Sequence, residues 1–167
     1  MNKGLCSILL SKIDEQIERT CHLISLLPEN MLDWRPANST MFSTAFLLGH
    51  LLECLAGFCA VLHAANREAL KHFSELKGLP VNHHCDKDEA LLRVAAYKAC
   101  IHEGFVLLRD EQLGTMLPTV FVKGGEALLS LLVGNLEHLI NHKHQLFTYL
   151  KLMGGEVRSD DLYQFRG

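Results

Sequence analysis

Apolar residues recur at helical spacing in four long stretches of the chain. The first covers residues 3–27, with Leu5, Ile8, Leu9, Ile13, Ile17, Cys21 and Ile24 as its apolar stripe and Pro28 ending it. The second covers residues 43–66, and Ser43 is a suitable N-cap for a strongly apolar helix. The third starts between Asp86 and Asp88 and runs to Arg109, with Leu91, Val94, Ala95, Lys98, Ile101, Phe105 and Leu108 at the required intervals. The fourth covers residues 126–153 and stops at Gly154-Gly155, a C-terminal glycine signal. The connections predict a short extra helix over residues 68–76, before Gly78 and Pro80, and a short extended piece at Thr119-Val120-Phe121-Val122. Four long amphipathic helices with medium connections predict an all-α four-helix bundle, read as one domain over residues 1–167.

The fourth stretch departs from a simple apolar stripe. At about 100° per residue, Asn135, His138, His142, Gln145 and Tyr149 fall within about 80° of one another. They form a polar ribbon beside Leu132, Leu136, Leu139, Leu146 and Leu150. A ribbon bordered this closely by leucine lies at or near the core, where each polar group needs a partner. His138 and His142 are an i, i+4 pair, which stacks two imidazoles one turn apart on one face. The same spacing serves H-E-x-x-H zinc helices, although the glutamate of that motif is absent. His50, inside Phe46-Leu47-Leu48-Gly49-His50-Leu51-Leu52, is the best third ligand. Against this stands the bland reading, in which an H-x-x-x-H pair fills a surface or a core and a single buried histidine merely hydrogen-bonds.

Other residues near these histidines carry two readings each. Cys54, one turn after His50, either closes a Cys-His₃ tetrahedron or packs in the core. Glu53 and Glu137 either orient a ligand imidazole, or act as a base, or are solvated helix-face carboxylates. Asn135, Gln145 and Tyr149 either line a pocket or join helices by hydrogen bonds. Trp34 with Pro36 reads as a packed loop anchor. His83-His84-Cys85-Asp86 has metal-friendly chemistry, but adjacent side chains diverge, so it ranks low as a site. His22, His63, His72 and His102 have no partner at useful spacing.

Composition narrows the classes of function. A formal net charge of −3 and a pI near 6.3 lack the basic footprint of a nucleic-acid-binding protein. No polybasic run addresses a membrane surface. The longest apolar stretch, residues 45–65, is interrupted by His50, Glu53 and His63, short of the ~18 uninterrupted residues of a span. Lys12, Asp14 and Glu15 follow Ile8-Leu9-Leu10 too soon for a secretory h-region, so a cytoplasmic location is expected. The six cysteines form no C-x-x-C pair and read as free thiols.

Several segments, in order, resemble the DinB/YfiT-type family of metal-dependent four-helix-bundle proteins. Leu27-Pro28-Glu29 through Trp34-Arg35-Pro36 is similar to the loop after that family's first helix. Phe42-Ser43 followed by Leu47-Leu48-Gly49-His50 is similar to the start of its second helix. His138-Leu139-Ile140-Asn141-His142-Lys143-His144-Gln145-Leu146 resembles its H-x-x-x-H-[KR]-G-Q-L signature, and Tyr149-Leu150-Lys151 and Leu162-Tyr163 its C-terminal part. Asn141 stands where a further histidine is common, and His144 where glycine is usual; neither change removes a ligand. The resemblance implies a divalent metal, zinc or nickel, held by His50, His138 and His142 with open coordination positions. It further implies hydrolysis, or transfer of a low-molecular-weight thiol to an electrophile, on a small-molecule substrate. The competing expectation is a non-enzymatic, metal-binding or apo bundle acting as an interaction or stress-related module. A homodimer is expected in either case.

Overall fold

The structure is a computed structural model that describes residues 4–120 and 122–163. Four long helices dominate it: α1 (Leu5–Ser25), α2 (Thr44–Ala65), α3 (Lys87–Val106) and α4 (Leu128–Leu152). Short 3₁₀ turns occupy Glu29–Met31, Lys71–Gly78 and Asp110–Gly114. Two-residue strands β1 (Met116–Leu117) and β2 (Glu126–Ala127) precede α4, and the one-turn α5 (Ser159–Leu162) follows it. Helix α2 packs on α3 and α4, and α1 packs on the same two helices. The four sides of the bundle therefore run α1, α3, α2, α4, with consecutive helices α1 and α2 across a diagonal.

The helix starts follow the capping chemistry. The Ser43 hydroxyl accepts from the Phe46 amide (3.3 Å), and Asp86 accepts from the Glu89 amide (2.8 Å), each satisfying one orphan N–H of a first turn. Helix α1 begins after Gly4, which has no capping side chain; the carboxylate of Asp110 does that work, accepting from Leu5 (2.7 Å) and Cys6 (2.9 Å). Helix α4 ends at Leu152, and Gly154 beyond it has a φ of 85°, which suits a residue without a Cβ.

Three details differ from the sequence expectation. The buried face of α1 is Cys6, Leu9, Ile13, Gln16, Ile17, Thr20, Leu23 and Ile24, whereas Leu5 and Ile8 are exposed. The face is rotated because Gln16 and Thr20 are buried with partners: Thr20 Oγ1 donates to the Gln16 carbonyl (2.8 Å), and Gln16 Oε1 accepts from Lys143 (2.6 Å). Lys3, at the expected start of this helix, lies outside the described residues. The extra helix is the 3₁₀ segment Lys71–Gly78, anchored by buried Phe73. Among the described residues the extended structure is not at Thr119, Val120 or Val122 but on either side of them, where Met116 and Leu117 pair antiparallel with Ala127 and Glu126. Pro118 has no amide to continue β1, and Gly124 and Gly125 turn the chain with φ of 98° and 88°. Phe121 lies outside the described residues.

Helix α2 is long and apolar enough to cross a bilayer by length and composition, yet 61% of its most apolar window is buried by the rest of the bundle. A helix apolar on nearly every face is what a central core position demands.

Candidate metal centre

The three histidines singled out in the sequence converge between α2 and α4. Nε2 of His50 lies 3.0 Å from Nε2 of His142 and 3.3 Å from Nε2 of His138. The ring centroids are 4.3–5.1 Å apart and their planes cross at 71–90°. Each ring thus directs one nitrogen at a common point, and the three ligand atoms lie within 4.8 Å of one another. This group can hold a metal ion.

Hydrogen-bond partners assign the tautomers. The Tyr149 hydroxyl donates its only proton to the Phe42 carbonyl (2.8 Å), so its oxygen accepts from Gln145 Nε2 (3.1 Å). That turns Gln145 Oε1 toward His142, where it accepts from Nδ1–H (2.9 Å). On the other side, Nδ1 of His50 contacts the Glu53 carboxylate (3.0 Å) and Asn82 Oδ1 (2.5 Å); a carboxylate only accepts, so Nδ1 carries the hydrogen. In both rings Nε2 is therefore the nitrogen left to face the cluster. A cation between these nitrogens accepts a lone pair from each ring. The donor set fits a divalent ion, and the carboxylate and amide partners hold the ligand rings as outer partners do in metal sites.

Burial pushes the His138 and His142 pKa values below the ordinary 6.5, with the neighbouring imidazoles acting in the same direction. The shift favours the neutral form that ligates metals.

Local sequence explains how these side chains are delivered. Gly49 lies under the backbone of His83, and a Cβ there would collide with the His83 carbonyl. The Asn82 amide donates to the Gly49 carbonyl (3.1 Å) and that of Cys85 to the Ala45 carbonyl (3.1 Å). The loop is thereby pinned along α2, and Asn82, in the left-handed region at φ 55°, presents its amide to His50. The Trp34 ring meets Tyr149 edge-on at 5.1 Å, and its carbonyl accepts from Thr44 N (2.8 Å). The loop anchor therefore braces the far end of the hydrogen-bond chain to His142. Phe42 covers the cluster, with its ring 5.1 Å from His50.

The remaining sequence candidates separate cleanly. Glu53, Gln145 and Tyr149 are hydrogen-bonded around the ligand rings as described. Cys54 is not in the group: it is buried, its Sγ donates to the His50 carbonyl of its own helix (3.5 Å), and burial first, with Glu53, pushes its thiol up to about 12. Glu137 is exposed. Asn135 donates to the Leu131 carbonyl (3.0 Å) and sits against Gly57, where a Cβ would meet its Oδ1. His22, His72 and His102, without partners in the linear sequence, face Asp161 (2.6 Å), Glu103 (3.1 Å) and Asp14 (2.7 Å) across the fold.

His138 and Asn135 also line a groove of about 510 Å³. Its walls are Gly57, Ala60, Val61 and Ala64 of α2, Ser130, Leu131 and Gly134 of α4, and Leu117, Pro118, Thr119 and Glu126 at the hairpin. Apart from Asn135, read as a pocket or helix-joining residue, the lining is not legible in the sequence, because small residues on one helix and a hairpin far along the chain form the groove only when packed.

No family model matches the chain, and no curated protein matches it. Among solved structures it is similar to a DinB-like protein, YjoA, from Bacillus subtilis. The TM-score is 0.66 at 20% identity, covering 89% of this chain and 94% of that one. The chain has the DinB-like all-α bundle fold.

Proposed function

We propose that this chain is a divalent-metal-dependent enzyme that activates a small nucleophile, water or a low-molecular-weight thiol, against an electrophile bound in the groove beside His138. The observation that carries this reading is the convergence of three Nε2 atoms, two of them with their tautomers set by outer partners. His50, His138 and His142 would hold the ion, and zinc and nickel are the ions best suited to a cluster of imidazoles. A divalent ion there supplies Lewis acidity, which makes a water or thiol nucleophile available near neutral pH.

The chain's own residues do the remaining work. Gln145, Glu53 and Asn82 keep the ligand rings in their tautomer and orientation. Phe42 shields one side of the cluster from water. The apolar groove walls take the non-reacting part of a substrate, and the Asn135 amide lies at the end next to His138. The non-enzymatic alternative depends on a coordination sphere closed by Cys54. The hydrogen bond of that thiol to its own helix favours an open sphere, which is the pattern of catalytic sites.

Elemental analysis of untagged protein, followed by turnover of a generic electrophile with and without added thiol, tests the proposal. We expect one equivalent of metal bound by the histidines, turnover that chelation abolishes and metal restores, and loss of both in His142→Ala. Dependence on thiol identifies transfer, and turnover without it identifies hydrolysis. Metal-independent turnover, or histidines that retain no metal, overturns the proposal.

A further inference from the structure

The segment His83-His84-Cys85-Asp86 comes together differently from what adjacency in sequence suggests. His84 turns outward to Asp33 (3.1 Å), and Asp86 caps α3. His83 and Cys85 are two residues apart in non-helical backbone, the spacing that returns side chains to one side, and there they meet Glu89 from the first turn of α3. We propose that His83, Cys85 and Glu89 form a second divalent-metal site, with a thiolate, an imidazole and a carboxylate as ligands, suited to zinc. This is separate from the three-histidine group and does not depend on its proposed function.

Each of the three offers a ligand atom, and these atoms lie within 4.8 Å of one another. Such a mixed sulfur, nitrogen and oxygen set matches the ligands of zinc sites, and the remaining tetrahedral position falls to water. One further observation points to a cation. Nδ1 of His83 is buried without a hydrogen-bond partner among the described residues, although buried polar atoms are nearly always paired. The Cys85 thiol is wholly buried, with the adjacent Asp86 carbonyl (3.4 Å) and the Glu89 carboxylate as its hydrogen-bond partners.

The neighbouring cation is accommodated. Arg93 Nη1 contacts Glu89 Oε1 (3.3 Å) and also donates to the Pro80 carbonyl. His83 Nε2 contacts the same Oε1 (2.9 Å), so Glu89 has a second oxygen for an ion. The thiolate and the carboxylate bring two negative charges to the ion, and Arg93 shares the carboxylate. The site closes the loop that starts with Asn82, so an ion here would also steady the amide that contacts His50.

Titration of the untagged, reduced, metal-free chain with cobalt(II) tests the proposal, because only a thiolate ligand gives a sulfur-to-cobalt charge-transfer band. We expect that band together with a second equivalent of bound cobalt. Cys85→Ser should remove the band and one equivalent, and His142→Ala should remove the other equivalent and keep the band. Cys85 is buried, so Glu89→Gln, on the solvent side, serves as a second variant. It should weaken the band-forming site by at least about tenfold, the lower end of the loss seen even for outer partners, with an unchanged circular-dichroism spectrum. No band in the unmodified chain, a band that survives Cys85→Ser, or a Glu89→Gln variant with undiminished affinity overturns the proposal.

Discussion

Gln145 and His142, on the same face of α4, share a hydrogen bond of 2.9 Å that decides which nitrogen of His142 faces the other two imidazoles. The decision is made farther away. Because the Tyr149 proton is committed to the Phe42 carbonyl, the Gln145 amide has one orientation, and His142 has one tautomer. A main-chain carbonyl just before α2 thus sets the ligand atom on α4.

Gln145→Leu removes the acceptor and keeps the volume close. The imidazole is then free to rotate and to change tautomer, so affinity for zinc should fall about 10–100-fold, the usual effect of losing an outer partner. Competition with a chromophoric chelator measures this. Equal affinity in Gln145→Leu and the unmodified chain would mean that the ring is held by packing alone.

Asn82→Gly tests the same idea on the other ring. Glycine accepts the φ of 55° without strain, so the loop keeps its path while the amide is lost. Glu53 still holds Nδ1 of His50 (3.0 Å), and the expected loss is therefore smaller than for Gln145→Leu. The double variant with Glu53→Gln should lose more than the two single losses combined, because each partner covers for the other; simple additivity in the same chelator competition would count against it.

How far the sequence reveals this molecule depends on how local each signal is. His138, His142, Gln145 and Tyr149 share one helix, and the period of that helix alone aligns them. His50 stood out because an imidazole inside a leucine run is costly without a partner. Asn82 had no such signal: it reaches His50 only because Gly49 lets a loop lie directly on α2, a contact between distant segments. The rotated face of α1 failed for the same reason. Gln16 reads as polar and therefore exposed, yet Lys143 of α4 waits for it inside the core at 2% exposure. Hydrophobic periodicity cannot see a polar residue whose partner lies far along the chain.

Lys143 donates to Gln16 Oε1 (2.6 Å) and to the Leu162 carbonyl (2.9 Å), tying α1 and the C-terminal α5 to α4. Lys143→Met leaves both acceptors buried and unsatisfied and should cost about 1–3 kcal/mol in chemical denaturation. Adding Gln16→Leu removes one orphan and should recover part of that loss. A double variant less stable than Lys143→Met would refute the pairing argument.

Acid should destabilise the fold through carboxylates that include Asp110 and Asp161. The amides of Cys6 and Leu5 hold Asp110 below its ordinary 3.8, and the Arg158 amide and then His22 do the same for Asp161. Groups depressed in the folded state contribute fully above the unfolded value and lose that contribution as pH falls through the lower folded value. Stability should therefore drop as pH decreases below 3.8. Asp110→Asn keeps an acceptor at the start of α1 but cannot titrate, so its thermal midpoint should fall less steeply between about pH 5 and about pH 2. Parallel curves for the two proteins would exclude Asp110 as a source of the acid slope.

Two glycines on the groove should respond oppositely to the same substitution. At Gly134 of α4 a Cβ would meet no atom within 4 Å, so Gly134→Ala gains helix propensity at no steric cost and should stabilise by about 1 kcal/mol. At Gly57 of α2 a Cβ would collide with Asn135 Oδ1. That amide is fixed by its bond to the Leu131 carbonyl (3.0 Å), so Gly57→Ala must break the bond or push the helices apart, and it should destabilise despite the same propensity gain. Denaturation of the two variants side by side reads the difference directly. If Gly57→Ala were the more stable of the two, Asn135 would be free to move, and the groove would lack the fixed amide next to His138 that its proposed use requires.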